Sequence, residues 1–268
     1  MTRSKPKPDV EAELLAHDET RLMDGKVICL QPQHGYRTAI DPVLLAAAID
    51  AKTGDRVLDV GSGTGAASLC LAARVHGLQI TGLELQPDYA ALARQSAELN
   101  GWSDHINFVT ADLAETSASG EFREFDHVMT NPPYVEQGRG RASPDPRKAL
   151  ATAESRLGLH EWLRTCVRMT KSRGTVTVIH RGDRLEHIVA ALTGAVGELI
   201  IYPFWPTNAA NSSGKDCIAN RVIVTGRKSV NSPGKLSRGL TIHSNDTGEY
   251  TPETMSILTG RSSLRDFI

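Results

Sequence analysis

Residues 131–134 read Asn-Pro-Pro-Tyr, which combines the groups needed to hold and activate a weakly nucleophilic nitrogen. Two consecutive prolines fix the backbone φ angles and remove two N–H donors, which leaves nearby carbonyl oxygens without competing partners. The Asn131 amide and a freed carbonyl would supply a pair of hydrogen-bond acceptors for an –NH2 group. Tyr134 would add an aromatic face on which a planar substrate stacks.

This pair of acceptors matters because an exocyclic amine on a base, or an amide nitrogen, has its lone pair delocalised into a π system. Acceptors that hold both hydrogens favour the pyramidal form and return the lone pair to nitrogen for attack on an electrophilic carbon. The nitrogen becomes cationic as the bond forms, and carbonyl dipoles with the Tyr134 ring would stabilise that charge. The alternative is a rigid turn that ends a strand, with Tyr134 as a packing residue.

Upstream, a glycine-rich turn has the composition of a ligand-binding loop: Asp59-Val60-Gly61-Ser62-Gly63-Thr64-Gly65. Glycines let the backbone approach a ligand closely, and the start of the following helix offers free N–H groups. A dinucleotide site uses G-x-G-x-x-G around a pyrophosphate. Here the spacing is G-x-G-x-G, and the Asp59 carboxylate would repel a pyrophosphate but could accept a hydrogen bond from a cationic amino group.

Two further acidic residues follow predicted strands. Glu84 ends an apolar run at 79–83, where a carboxylate can bind both hydroxyls of a ribose. Asp112 follows the strand predicted at 105–110, where it could meet an adenine amino group. The other interpretation is that these acids cap helices, Asp112 especially.

The elements that must position these residues alternate from residue 56 onward. Strands are predicted at 56–60, 79–84, 105–110, 125–130, 174–180, 197–204 and 218–225, and helices at 65–75, 87–100, 147–170 and 183–195. This pattern predicts an α/β, Rossmann-like, seven-stranded, mostly parallel sheet with helices on both faces and an antiparallel edge hairpin. Asp24-Gly25 predicts a short N-terminal hairpin, and Asp41 is predicted to cap a helix that Pro42 begins. From residue 226 onward we expect a loop and a short helix.

Composition limits the possible partners. No apolar stretch is long enough for a membrane span, and the basic N-terminus lacks the apolar segment of a secretory signal. The four cysteines are far apart in sequence, which fits a reducing cytoplasm and argues against a zinc site, so no metal is expected. Four histidines without ligand spacing are predicted in loops or at the surface, and three tryptophans in packing roles: His34, His160, His180 and His187, with Trp102, Trp162 and Trp205.

The formal net charge of −1 gives no global attraction to polyanions. Any nucleic-acid binding must therefore come from local patches. Two basic stretches, 137–148 and 215–238, are candidates, and ordinary solvated loops are the alternative for each.

With Asn131-Pro132-Pro133-Tyr134 downstream of the glycine loop, the chain resembles class I S-adenosylmethionine-dependent methyltransferases that modify amino groups. These act on adenine N6, guanine N2 or glutamine amides. Segments 33–45, 143–149 and 240–253 are similar to one branch, the tRNA1(Val) adenine-N6 methyltransferases.

The resemblance implies S-adenosylmethionine as the cofactor, with Thr38 and Asp41 near its methionine end. The remaining implied cofactor contacts are Asp59, Gly61, Gly63, Glu84, Leu85, Asp112, Leu113 and Asn131. Asn131, Pro132 and Tyr134 would hold the target base, flipped out of its stack. Four basic residues would contact RNA phosphates: Arg139, Arg141, Arg147 and Lys148.

The resemblance also implies a division of the chain into four segments. We expect a disordered basic tail at 1–18, an N-terminal hairpin and entry helix at 19–50, and the class I methyltransferase domain at 51–228. A C-terminal extension at 229–268 would pack on the same domain.

Adenine N6 in tRNA is the main substrate that we expect. Two other substrates are left open as alternatives. One is a glutamine amide of a protein such as a release factor, but those enzymes carry a sizeable helical domain before the cofactor loop. Here 58 residues precede Asp59, and they are interpreted as a tail and a hairpin. Another is an rRNA base. A non-enzymatic alternative is an RNA-binding module with a degenerate cofactor pocket, against which the intact acidic and glycine positions argue.

Overall fold

The computed structural model describes residues 15–34, 40–119, 122–133, 157–207, 218–244 and 248–267. The strands are β1 (His17–Leu22), β2 (Val27–Pro32), β3 (Arg56–Val60), β4 (Gln79–Glu84), β5 (Ile106–Thr110), β6 (Phe125–Thr130), β7 (Thr170–Arg181), β8 (Val196–Thr207), β9 (Arg221–Lys228), β10 (Lys235–Leu236) and β11 (Leu240–His243). The helices are α1 (Asp41–Ala48), α2 (Ala66–Arg74), α3 (Pro87–Leu99), α4 (Leu113–Ser119), α5 (Leu159–Met169), α6 (Leu185–Leu192) and α7 (Pro252–Leu258). Short 3₁₀ turns lie at Gly182–Arg184 and Leu264–Phe267.

The central sheet has the order β10-β8-β9-β7-β6-β3-β4-β5, and β11 pairs with β8 beyond this path. Strands β3 to β7 run parallel, and only β9 among the described strands of this sheet runs against the rest. The predicted Rossmann-like α/β fold is confirmed. Apolar strands alternating with helices produce it because both faces of a parallel sheet must be covered.

The predicted count of seven strands and the position of the hairpin are wrong in detail. β8 and β9 do pair antiparallel, but β10 and β11 pair with β8, so β8 is not the edge. The described sheet therefore has nine strands. The stretch expected to be a loop supplies both extra strands, and α4 was not predicted at all.

The N-terminal hairpin is present and is fixed to α3. β1 and β2 pair antiparallel around a four-residue turn in which Met23, Asp24 and Gly25 all have positive φ. Asn100 exchanges two hydrogen bonds with the backbone of Ile28, of 3.0 Å and 2.7 Å. The hairpin is thereby positioned beside the sheet, from where the chain leads into α1.

Two apolar clusters cover the two faces of the sheet. The first contains Leu44 of α1, Leu69 of α2 and Ile179 of β7. The second contains Leu163 of α5 and Ile188 of α6. Each of these side chains is 0% exposed, and such burial stabilises a fold by about 1.5–3 kcal/mol per side chain.

Helix α5 is shorter than predicted, since its first residue is Leu159 and the chain at 157–158 is not helical. Of the predicted helix 147–170, residues 147–156 lie outside the described residues. Leu163 and Val167 are buried in the second cluster, as expected for the inner face of this helix.

Arg74, at the end of α2, ties the C-terminal segment to the domain. Its guanidinium donates to the carbonyls of Ile257 (2.6 Å) and Ser262 (2.8 Å). Lys26, in the N-terminal turn, donates to the Thr259 carbonyl at 3.0 Å. These cations satisfy carbonyl groups near the end of α7, where helix backbones lack internal donors.

Candidate active site

The strand order brings the two predicted halves of the site to one edge of the sheet. β3 lies between β4 and β6, and the register sets Val60 beside Thr130. Gly61, Glu84 and Asn131 therefore leave neighbouring strands at similar heights, on strands about 4.8 Å apart. From β3 the chain runs outward through β4 and β5, while β6 and β7 lie on the other side. Open α/β sheets bind ligands at such a reversal of strand order.

The glycine loop bends over this edge. Gly61, Gly63 and Gly65 have φ of 74°, 57° and 82°. A Cβ on Gly61 would lie 3.1 Å from Cζ2 of Trp162, and one on Gly65 would lie 2.5 Å from Cζ of Phe108. A Cβ on Gly63 would meet no described atom within 4 Å. The lack of a side chain at Gly61 and Gly65 thus leaves room for aromatic rings, whereas Gly63 borders open space that a ligand can enter.

Glu84 is a carboxylate fixed by this loop. It is 7% exposed at the end of β4, and its Oε2 accepts the Gly63 N–H at 2.8 Å. Its Oε1 accepts the Gln86 N–H at 2.9 Å. These two hydrogen bonds hold the Glu84 carboxylate in a defined orientation beside the open space at Gly63. Its predicted role toward ribose hydroxyls remains a prediction.

Asp59 lies near the end of β3, within the predicted strand, and is 2% exposed. Its Oδ2 accepts the Ser68 hydroxyl at 2.8 Å. Burial raises the pKa of Asp59 to about 7, the Ser68 hydrogen bond opposes that rise, and repulsion from Glu84 adds to it. At neutral pH the carboxyl is thus poised between its neutral and charged forms, so a cationic amino group nearby would favour ionisation.

Asp112 caps α4. Its Oδ1 accepts the Ala114 N–H at 2.8 Å, which satisfies a free donor of the first turn. The helix-capping interpretation of Asp112 therefore describes one of its contacts, and a contact with an adenine amino group remains a prediction. Leu113 is buried at the start of α4, and Leu85 is half-buried after β4.

Asn131 carries an unpaired buried acceptor. Its Oδ1 is inaccessible to solvent, and within the described part of the chain no group donates a hydrogen bond to it. An unmade hydrogen bond at a buried polar atom costs about 1–3 kcal/mol. Pro132 is buried and Pro133 half-buried beside it. The Asn131 Oδ1 atom therefore has the capacity for a further hydrogen bond, and its predicted contact with a substrate amine remains a prediction.

A buried hydrogen-bond network joins β6, the strand that precedes Asn131, to the glycine loop. Thr130 is 0% exposed, and its hydroxyl donates to the Val60 carbonyl at 2.7 Å. The same oxygen accepts the indole N–H of Trp162 at 2.9 Å. Because the Trp162 ring also lies against Gly61, α5 connects the end of β6 with the start of the glycine loop. Sequence reasoning assigned Trp162 to packing, which is confirmed, but it gave no sign of this hydrogen bond.

Asp41 was predicted to cap α1, and that prediction is wrong. The residue before the helix is Ile40, and no side-chain cap is formed. Asp41 is instead the first helical residue, 4% exposed, and its Oδ2 accepts from Nε of Arg221 on β9 at 2.9 Å. The carboxylate is used in a tertiary ion pair, since Arg221 projects from the same edge of the sheet.

Several predicted site residues cannot be placed with these. Thr38, Tyr134 and the four basic residues predicted to contact RNA lie outside the described residues: Arg139, Arg141, Arg147 and Lys148. In the ranges given above, no group of three or more metal-ligating side chains occurs. Within the same ranges, none of the helices is both long and apolar enough to cross a membrane.

The chain is similar to known methyltransferases. Residues 38–158 match the family model of the methyltransferase small domain. A tRNA1(Val) (adenine(37)-N6)-methyltransferase of Haemophilus influenzae (strain 86-028NP) is 35% identical over 136 residues, 50% of this chain and 58% of that protein. One of the same name from Shewanella sp. (strain MR-7) is 27% identical over 224 residues, 83% of this chain and 90% of that protein.

Among relatives above 30% identity the alignment spans little more than half of their length, from 52% to 58% in five of them. A crystal structure of a predicted O-methyltransferase from Agrobacterium tumefaciens superposes with a TM-score of 0.66 and 28% identity. That superposition covers 83% of this chain and 97% of that one.

The cofactor that this domain and fold imply is S-adenosylmethionine, as predicted from the sequence, and the residues at the sheet edge fit it. Gly63 borders open space, and the Ser62 hydroxyl in the same loop is buried with no partner among the described residues. Glu84 presents a fixed carboxylate on the adjoining strand. The chain therefore has the fold of the class I methyltransferases, and its residues 38–158 are similar to the methyltransferase small domain.

Proposed function

We propose that the chain is an S-adenosylmethionine-dependent N-methyltransferase acting on adenine N6 in tRNA, with a tRNA1(Val)-like molecule as substrate. The observation that carries the proposal is the buried, unpaired Oδ1 of Asn131, one strand away from the glycine loop. An –NH2 group is the donor that this acceptor lacks. The names of the relatives at 27% to 35% identity support adenine N6 as the first position to test.

In this mechanism Asn131 Oδ1 accepts one N6 hydrogen, and the Pro132 carbonyl accepts the other. Both contacts strengthen as the nitrogen becomes pyramidal and positively charged, so they stabilise the transition state more than the ground state. Bound S-adenosylmethionine supplies an electrophilic methyl carbon on a cationic sulfur. Tyr134 would stack on the flipped base and stabilise the charge. The methylated nitrogen then gives its extra proton to water, so no strong base is required.

This geometry favours an amine over a hydroxyl acceptor. A hydroxyl group has to lose its proton to become a good nucleophile and calls for a general base. The Asn131 amide can accept a hydrogen bond but is not a base. It therefore suits an amine nitrogen, whose lone pair has to be withdrawn from conjugation and needs no prior deprotonation. Arg139, Arg141, Arg147 and Lys148 remain proposed RNA contacts. A cytoplasmic location is also proposed, supported by the wide separation of the four cysteines in the sequence.

To test the function, the full chain and labelled S-adenosylmethionine are incubated separately with three substrate pools. These pools are unmodified tRNA, unmodified rRNA, and release factors. The modified nucleoside or amino acid is identified by mass spectrometry. We expect N6-methyladenosine in the tRNA pool. Label on a glutamine amide or only in rRNA would replace the proposed substrate. A chain that binds tRNA but neither binds nor uses the cofactor would be an RNA-binding module instead.

A further inference from the structure

Two arginines face each other at the edge of the sheet that carries Asn131. Arg181 ends β7, Arg221 begins β9, and the antiparallel register pairs them directly. Residues in register point to the same face, and like charges in that position destabilise a sheet. The repulsion between the two guanidinium groups therefore has to be offset by neighbouring carboxylates.

Each guanidinium is held in a defined direction by a carboxylate. Arg181 forms an ion pair with Asp183, and its Nε donates to Oδ1 at 3.1 Å. Arg221 donates to Asp41 as described above. The side chains of Arg181 and Arg221 are nevertheless 52% and 35% exposed. An arginine that is oriented on one side and open to water on another is well suited to bind a planar or tetrahedral oxyanion.

A buried histidine, His180, lies beside these arginines, and its pKa is affected by their charge. His180 was predicted at the surface, but it is 2% exposed, and its Nδ1 accepts the backbone N–H of Arg181 at 2.8 Å. Burial first, and then the charges of Arg184, Arg181 and Arg221, lower the pKa of His180 to about 4, while Asp183 opposes them. Three arginines thus surround one imidazole, which stays neutral at physiological pH.

These arginines lie next to the candidate methyl-transfer site. β7 pairs with β6, and Val178 lies beside Thr130. Arg181 is three residues beyond Val178, and Asn131 is one beyond Thr130. With strands about 4.8 Å apart and about 3.3 Å of rise per residue, the two backbones are separated by about 8 Å. A nucleotide held at Asn131 would place its neighbouring phosphates within reach of such long side chains.

We propose that Arg181, Arg184 and Arg221 form a phosphate-binding surface for the RNA chain adjoining the target adenine. This inference rests on the proposed function, because it takes RNA as the substrate. The chain as a whole has a net charge of −1, so attraction to a polyanion has to be local. The surface extends the predicted RNA contacts to the β7 and β9 side of Asn131, with phosphate as the recognised group.

The test compares Arg181→Gln/Arg184→Gln with wild type for binding to an unmodified tRNA transcript across a salt series. Arg221 is left intact because it also holds Asp41. Loss of two phosphate contacts should flatten the plot of log Kd against log salt by about 1.5 units and raise Kd at low salt about tenfold or more. The dissociation constant for S-adenosylmethionine should not change.

Arg168→Gln is the matched control. Arg168 is 45% exposed and paired with Glu161 at 2.6 Å, much as Arg181 is paired with Asp183. It lies near the end of α5, just before β7 begins, and therefore at the opposite edge of the sheet. Its replacement should leave both the salt slope and the Kd for tRNA unchanged.

The outcomes separate the two proposals. A double variant that keeps the wild-type slope and Kd, or an equal effect in Arg168→Gln, overturns the phosphate-binding surface alone. Wild-type protein that neither binds nor methylates tRNA overturns the proposed function and this inference together. Reduced methylation of a release factor by the double variant, with RNA binding intact, would assign the arginines to a protein partner and reject the inference.

Discussion

The indole N–H of Trp162 donates a 2.9 Å hydrogen bond to the hydroxyl of Thr130, the residue directly before Asn131. That hydroxyl in turn donates to the Val60 carbonyl, the residue directly before Gly61. The start of the glycine loop and the start of the Asn-Pro-Pro-Tyr segment are therefore fixed to each other through one buried oxygen. In the proposed mechanism the nitrogen has to be in line with the methyl carbon, so the relative position of these two segments would determine the reaction geometry.

Thr130→Val removes the hydroxyl at nearly constant volume and should lower kcat about tenfold to hundredfold, because small misplacements at a reacting centre are costly. Stability should fall by about 1–3 kcal/mol, since the Trp162 donor loses its partner. Steady-state kinetics at saturating cofactor and substrate, with urea unfolding, measure both effects.

Two variants act as controls for Thr130→Val. Thr130→Ser keeps the hydroxyl and should restore kcat even if packing is weakened. Trp162→Phe should lower kcat, and combining it with Thr130→Val should add little, because both changes break the same bond. A Thr130→Val enzyme with normal kcat despite reduced stability would limit the network to a structural role.

Asn131→Ala should strongly reduce activity without weakening the fold. Removing an oriented acceptor should reduce kcat by about 10²–10³-fold. The same change deletes an unpaired buried oxygen, so the free energy of unfolding should stay equal or rise slightly. Methyl incorporation and thermal unfolding measure the two quantities, and cofactor affinity should be retained. Loss of stability together with activity would indicate that Asn131 supports the turn instead.

Glu84→Gln should raise the Kd for S-adenosylmethionine about tenfold or more. The carboxylate accepts the N–H of Gly63 on one oxygen and that of Gln86 on the other. In glutamine an –NH2 group replaces one of these oxygens and cannot accept the N–H that faces it. The loop would lose an anchor, and a ribose would lose one acceptor, each worth about 1 kcal/mol or more. Titration calorimetry measures the change. Gln79→Glu, at the opposite end of the same strand, is a control that should not affect affinity, and an unchanged Kd in Glu84→Gln would reject the ribose assignment.

Asp59 should make stability depend on pH. Its pKa is about 7 in the folded chain, above the ordinary value of 3.8. The folded state therefore holds this proton more tightly than the unfolded state does. Stability from this group is fully present below pH 4 and is lost as the pH rises through 7, on the order of 4 kcal/mol in total. Urea unfolding of wild type and Asp59→Asn at pH 5 and pH 8 isolates the effect, because the asparagine does not titrate. Parallel pH curves for the two proteins would contradict the raised pKa.

The sequence predicts the strands that carry the site because their apolar runs end in residues with distinctive chemistry. β3, β4 and β6 have the predicted bounds, so Gly61, Glu84 and Asn131 reach one edge as expected. The two C-terminal strands were missed because two and four residues are too few for a periodic pattern. They form by pairing with β8, a contact that sequence spacing does not encode.

Tertiary contacts account for the remaining differences. Asp41 is a residue type that commonly caps helices, but its carboxylate forms an ion pair with Arg221, which is distant in sequence. His180 was predicted at the surface because no ligand spacing surrounds it, yet β7 extends past it and buries it. The Thr130–Trp162 bond joins residues whose proximity only the packing of α5 on the sheet produces.

In the proposed mechanism Asn131 Oδ1 accepts a hydrogen from an adenine N6 amine during methyl transfer. The most direct test of this claim digests unmodified tRNA after incubation with labelled S-adenosylmethionine and either wild type or Asn131→Ala, and quantifies N6-methyladenosine by mass spectrometry. We predict labelled N6-methyladenosine with wild type and at least a hundredfold less with a variant that still binds cofactor. Equal amounts from both proteins, or label at another atom, would contradict the claim.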